Sequence, residues 1–133
     1  IIVTNQPDLS TGKISKEQFD LIQSYCWSEL EVDAVKVCPH TQDHNCDCRK
    51  PNPGMITQAA DELEIDISSS YMVGDRWRDI EAGHAAGCKL NFFIDYGYEE
   101  EHPEPPYIRI SSLAEAVQVI LEDIELLKLR EKQ

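Results

Sequence analysis

Tyr71-Met72-Val73-Gly74-Asp75-Arg76-Trp77-Arg78-Asp79-Ile80-Glu81-Ala82-Gly83 decides the fold. Tyr71-Met72-Val73 is a short apolar run of strand-forming residues, and Gly74-Asp75 is the turn that ends it. A helix follows to about Ala86 and is closed by Gly87, the residue that most easily takes the left-handed conformation after a last turn. The unit is therefore strand, turn, helix. Asp75 sits at the strand's carboxyl end and Asp79 one helical turn further along the same face.

The same alternation extends in both directions. Upstream, Ile1–Thr4 reads as a short buried strand and residues 5–13 as loop. Ser15 with Gln18 forms a capping box that opens a helix, with Phe19, Ile22, Cys26 and Leu30 on its apolar face. Residues 32–38 carry valines at 32, 35 and 37 and predict a strand. Residues 39–54 are irregular, and residues 55–63 predict a second helix. Downstream, residues 89–94 predict a strand and residues 95–106 an acidic, Pro-rich loop in which Glu99-Glu100-Glu101 is a solvated charge run. Ser112 with Glu115 opens a last helix towards Leu129, with Leu113, Val117, Ile120, Ile124 and Leu127 on one face and a fraying polar tail from Lys128. Short apolar strands without clean alternation, each followed by a helix, predict an α/β fold: a parallel sheet with helices on both faces.

Composition narrows the function. At 133 residues the chain is expected to form a single domain, 1–133, and 41% hydrophobic residues suffice for a core without disulfides. The net charge of −13 repels polyanions, which excludes non-specific nucleic-acid binding. No run approaches the roughly 20 apolar residues of a membrane span, and no signal peptide is visible. A cytoplasmic protein with no membrane partner is expected. Residue 1 is Ile, within the apolar run Ile1-Ile2-Val3, and reads as a chain whose start is missing.

Three of the five cysteines fall within eleven residues. Cys38-x-His40-x5-Cys46-x-Cys48 offers three thiolates and one imidazole, the closed tetrahedral donor set of a structural Zn²⁺ site. Such an ion has no open position for catalysis; it folds a loop, residues 38–54, too polar to build a core of its own. His44 is the alternative to His40 as the fourth ligand. Cys26 and Cys88 read as core thiols.

Three further pieces point to phosphate. Thr4-Asn5-Gln6 places a hydroxyl and two amides at a strand's carboxyl end, where parallel α/β sheets bind ligands. Arg49-Lys50 follows the metal cluster and supplies a planar guanidinium and a point-charge ammonium for an anionic substrate. Asp75 supplies a hard oxygen ligand for Mg²⁺. Asp79 either supports that metal or is simply a carboxylate favoured by the helix dipole.

With these residues in hand, the sequence resembles the haloacid dehalogenase-like (HAD) phosphatases. Within them it is similar to the branch of D-glycero-D-manno-heptose 1,7-bisphosphate and histidinol-phosphate phosphatases. The resemblance rests on VTNQ (Val3–Gln6), on the cluster from Cys38 through CDCRKPNPGM to Met55, and on VGDRWRDIEAG (Val73–Gly83). It implies a Rossmann-like sheet and a Mg²⁺-dependent phosphatase for a small phosphorylated metabolite. It implies that Thr4 binds the transferring phosphoryl group with Asn5 beside it, and that Gln6 orients the catalytic carboxylates. Lys50 neutralises charge, Arg49 contacts substrate, Asp75 ligates Mg²⁺ and Asp79 supports that site. Cys38, His40, Cys46 and Cys48 hold the family's structural Zn²⁺. Pro-Gly-Met after the lysine leans towards the heptose bisphosphate side, whereas the five-residue gap between His40 and Cys46 also occurs on the histidinol side. Both substrates stay open.

One departure is severe. The family's first strand ends in Asp-x-Asp, whose first Asp is the phosphorylated nucleophile and whose second is the general acid/base. No Asp-x-Asp occurs in the 133 residues. Asp75 alone is expected to hold Mg²⁺ poorly, and the chain as it stands is expected to turn nothing over. The strand would be central in the sheet, so its neighbours should show unpaired edges that invite self-association. The alternative readings are a non-catalytic zinc-bearing binding module and an inactive fragment.

Overall fold

A computed structural model describes residues 1–133 and divides them into two compact units, residues 1–66 and 67–133. No helix is long and apolar enough to cross a membrane.

The first unit pairs β1 (Ile2–Asn5) with β2 (Val35–Cys38) in parallel, with Ile2 opposite Val35 and Asn5 opposite Cys38. The stretch after β1 is not all loop: α1 (Asp8–Thr11) is a single turn ended by Gly12 at φ 75°. The capping box forms as the sequence implies. Ser15 Oγ accepts the Gln18 N–H, Gln18 Oε1 accepts the Ser15 N–H, and α2 (Lys16–Leu30) begins there. Its expected apolar face is only partly inside. Phe19 is buried, but Ile22 is 52% and Leu30 60% exposed. The line Lys16, Phe19, Gln23 and Trp27 instead borders an open groove with Val35 and Val37 of β2. The helix is thus rotated away from the face that hydrophobic spacing alone selects. After the irregular cysteine-rich loop, α3 (Gly54–Leu63) packs on β2 and buries Met55, Ala59 and Ala60.

The second unit is a three-stranded parallel sheet in the order β3 (Tyr71–Gly74), β4 (Leu90–Ile94), β5 (Ile108–Ile110). The strand β5 has no counterpart in the sequence reading; three residues after a Pro-rich loop are too few to show a period. Side-chain alternation divides β4 between two helices. Phe92 and Ile94 form a core with Ile110 and with Ala116 of α5 (Leu113–Glu131), and Tyr71, Val73, Leu90, Ile108, Val119 and Ile120 pack around it. Asn91 points to the other face, against Gly83 of α4 (Trp77–Ala86). Helices therefore cover both faces of this sheet, as an α/β chain requires.

The inward face of α5 is Ala116, Val119 and Ile120, offset from the expected one. Leu113 is 60% exposed, Val117 is also exposed, and the helix continues through the supposed polar tail to Glu131. Ser112 Oγ caps the Glu115 N–H, but Glu115 reaches back to the N–H and hydroxyl of Ser111 rather than to Ser112. In its own unit each of β1 and β3 has a single hydrogen-bonded neighbour.

Candidate functional site

The first unit carries a Cys/His cluster that could hold a metal ion. Cys38 ends β2 and is fully buried. His40, Cys46 and Cys48 follow in the irregular chain, and the four ligand atoms lie within 4.8 Å of one another. The Cys38–Cys46 and Cys46–Cys48 sulfurs are 3.6 and 3.5 Å apart, and Cys38–Cys48 2.9 Å. His40 Nδ1 is 3.5 Å from Cys38 Sγ and 3.3 Å from Cys48 Sγ. A tetrahedron with Zn–S bonds of about 2.3 Å has edges of about 3.8 Å. The donor set fits one Zn²⁺ with modest expansion. Of the two histidines, His40 is the one that lies with the three thiols. His44 Nδ1 is occupied by the Thr41 N–H at 2.9 Å and lies beside the Thr41 hydroxyl.

Burial pushes the Cys48 thiol up to about 12, with the neighbouring Cys38 and Cys46 adding to it. Burial acts the same way on Cys46. There the Arg49 N–H donated to its sulfur and contacts from Cys48, Cys38 and His40 prevail and bring it down to about 6. Cys26 and Cys88 stand outside the cluster.

The loop is seated by contacts its sequence does not advertise. The Gly54 N–H donates to Asp47 O at 2.9 Å. A Cβ at Gly54 would stand 2.3 Å from that oxygen and 3.0 Å from Cys48 Cα. Only glycine lets α3 start this close to the ligand loop. Arg49 Nη1 donates to His40 O at 3.1 Å, so part of this guanidinium ties the loop together.

Lys50 and Thr4 are brought to one place. Asn5 Oδ1 accepts the Lys50 N–H at 3.0 Å, Asn5 Nδ2 donates to Lys50 O at 3.2 Å, and Lys50 Nζ donates to Val3 O at 2.9 Å. One amide thus brackets the lysine's main chain and fixes it to the carboxyl end of β1. Gln6 Nε2 donates to Thr4 Oγ at 2.9 Å. The Thr4 oxygen is therefore an acceptor inside the protein, and its O–H is left to donate elsewhere. Asn5 and Gln6 act here on the lysine and the threonine.

The second unit holds Asp75 and Asp79. Asp75 follows β3 and is half-buried. Its Oδ2 accepts the Tyr98 hydroxyl at 3.0 Å, whereas Oδ1 accepts no hydrogen bond from the protein. Asp79 is buried, and its Oδ2 accepts the Arg76 N–H at 3.0 Å, the task of a helix-start carboxylate. It packs on Gly74, where a Cβ would lie 2.2 Å from Asp79 Cβ.

The expectation that Glu99-Glu100-Glu101 is merely solvated holds for the exposed Glu99 and Glu101 but fails at Glu100. Glu100 grips Arg76 with bonds of 2.9 and 3.0 Å to Nε and 2.6 Å to Nη2. This pairing holds its carboxyl below the usual carboxylate range. The Arg76 guanidinium in turn lies 4.8 Å above the Tyr98 ring. Glu81 accepts the Glu104 N–H, and His84 Nε2 is 2.7 Å from Pro106 O. The acidic loop is thus strapped along α4. Tyr98 and Glu100 escaped the sequence reading, although the rule that singled out the ends of β1 and β3 applies equally to the segment just after β4.

A sequence profile described as HAD-hydrolase-like matches residues 47–116. The D-glycero-beta-D-manno-heptose-1,7-bisphosphate 7-phosphatase of Vibrio cholerae is 39% identical over 109 residues, covering 73% of the chain and 59% of that protein. The corresponding alpha-anomer phosphatase of Photorhabdus laumondii is 37% identical over 115 residues, covering 77% and 63%. The chain thus spans about three-fifths of the length of the curated relatives it matches. Among solved structures, the D,D-heptose 1,7-bisphosphate phosphatase of B. bronchiseptica, complexed with magnesium and phosphate, superposes with a TM-score of 0.79 at 30% identity. That match covers 90% of the chain and 72% of the other.

Proposed function

The chain belongs to the HAD-hydrolase-like family, and from that premise we propose that it carries part of the active site of a Mg²⁺-dependent phosphatase for a small sugar phosphate, with a heptose bisphosphate as the leading candidate. The observation that carries this is the Asn5 bracket on Lys50, which sets an ammonium and a threonine hydroxyl at the end of one strand. A pure interaction module has no need of Thr4, Lys50 and Asp75 all three. The reading is supported by the heptose bisphosphate phosphatases among the relatives.

In this reading the Thr4 O–H donates to a phosphoryl oxygen, and the Gln6 amide, by donating to the hydroxyl oxygen, leaves that O–H to do so. The Lys50 ammonium balances charge that grows on the equatorial oxygens during in-line transfer. Asp75 would hold Mg²⁺ through a carboxylate oxygen, a ligand suited to a hard cation. When bound, Mg²⁺ supplies charge neutralisation and alignment of the phosphoryl group. The zinc loop holds Arg49 and Lys50 in place and takes no chemical step. The reaction runs through an aspartyl-phosphate whose nucleophile is not among these 133 residues.

The test is Mg²⁺-dependent phosphate release from a panel of sugar bisphosphates by the whole protein. Lys50→Ala should lower kcat by about 10²–10³-fold, the scale of one electrostatic group aimed at developing charge, with zinc content unchanged. An unaltered rate would remove Lys50 from the mechanism. No activity on any phosphate ester would favour the binding module.

A further inference from the structure

We propose that Tyr98 is a positioning residue for the magnesium ligand: its hydroxyl fixes Oδ2 of Asp75 and thereby presents Oδ1 to the ion. The proposal rests on the reading of Asp75 given above.

A carboxylate at a strand end rotates about its last bond. Mg²⁺ requires near-octahedral geometry at about 2.0–2.1 Å and normally takes one oxygen per carboxylate. A donor held on the other oxygen stops the rotation and disfavours two-oxygen chelation. Tyr98 meets this need at 3.0 Å. A phenol is protonated at neutral pH, so in this contact the hydroxyl is the donor and the carboxylate oxygen the acceptor.

Tyr98 is itself fixed from three sides. Gly97 takes φ 72° and gives its N–H to Asp95 Oδ1 at 2.8 Å, which turns the chain as it leaves β4. Arg76 covers the ring at 4.8 Å, and the Tyr96 ring meets it edge-on at 6.0 Å between centroids. Glu100 holds Arg76 by the fork already described, and the Glu100 N–H closes back on Tyr98 O at 2.9 Å. The Arg76–Glu100 pair has a second effect. A bare guanidinium beside a cation site would repel the ion; paired with a carboxylate, it packs on the ring without adding net charge.

The experiment titrates Mn²⁺, a paramagnetic stand-in for Mg²⁺, into the whole protein and reads free Mn²⁺ by electron paramagnetic resonance. Tyr98→Phe keeps the ring and removes the hydroxyl. It should raise the Mn²⁺ Kd by about tenfold, the usual range for loss of an outer-shell partner. Turnover should return at saturating Mg²⁺ with the KM for sugar phosphate unchanged, which a purely structural defect would not do. Asp75→Asn should abolish the site. A Tyr98→Phe Kd equal to wild type overturns the proposal, and tighter binding also overturns it, since the hydroxyl would then compete with the ion. Survival of the site in Asp75→Asn overturns the reading of Asp75 itself, whatever Tyr98 does.

Discussion

Two glycines and one cysteine carry the sharpest predictions at the residue scale. Gly54→Ala places a methyl 2.3 Å from the Asp47 carbonyl oxygen and 2.7 Å from its carbon, both main-chain atoms that no rotamer change can move. The substitution should cost about 1–3 kcal/mol, as overpacking does, and loosen the metal. A thermal melt and a chelator competition measured together would check it; wild-type values in both would refute the close seating of α3. Cys46→Ser removes the thiol already lowered to about 6. Metal analysis should fall from about one zinc per chain, the stoichiometry of a four-ligand structural site, to a small fraction of that. Full zinc in the variant would mean that the fourth ligand lies elsewhere. Gly74→Ala forces Asp79 off its cap on the Arg76 N–H. A loss of about 1 kcal/mol, the worth of a helix cap, should appear in denaturant melts.

Packing of whole helices adds a pH dependence. Asp123 of α5 receives the Lys89 ammonium and, at 2.6 Å, the Tyr71 hydroxyl, joining the helix to the start of β3 and the residue before β4. Its carboxyl is held below the ordinary value, chiefly by the Lys89 hydrogen bond and then by Tyr71. A folded value below the unfolded one adds stability that is complete above the unfolded value of about 3.9. That stability drains away as pH falls through the lower folded value. Melts of wild type and Asp123→Asn should therefore differ by a constant gap at neutral pH, and the gap should close below about pH 4. A gap independent of pH would show that the contact works through shape alone.

Elements also show what the sequence makes legible. Strand–helix alternation, the Ser15 box, the Gly87 stop and the gathering of Cys38, His40, Cys46 and Cys48 were all readable, because each depends on local chemistry. The inward faces of α2 and α5 were not. In α2 the groove-facing line includes Lys16 and Gln23, which hydrophobic spacing passes over, and in α5 apolar residues occur on two overlapping faces, so the neighbouring strand decides which side turns inward. The strap after β4 was hidden for a related reason: Glu100 looks like solvated charge until Arg76, 24 residues earlier, is placed beneath it.

Across the whole molecule the sheets carry the remaining expectation. Within their own units β1 and β3 each have one hydrogen-bonded neighbour, and a strand edge left unpaired presents N–H and C=O groups that another chain can pair with. The 133 residues alone should therefore self-associate as concentration rises, which light scattering would detect; a monomer at every concentration would show that these edges are protected. The thiol cluster has a consequence of another kind, for the history of any preparation. Cys38 and Cys48 bring their sulfurs to 2.9 Å, not far from the bond length of about 2.05 Å in a disulfide. A loop stripped of its ion is one two-electron oxidation by dissolved oxygen or peroxide from joining them, with both thiol hydrogens leaving. That product has lost two of four ligands and cannot take zinc back until a reductant reopens it. Storage in air, rather than sequence, would then decide which samples can be reloaded, and a mass two hydrogens lighter would identify the ones that cannot.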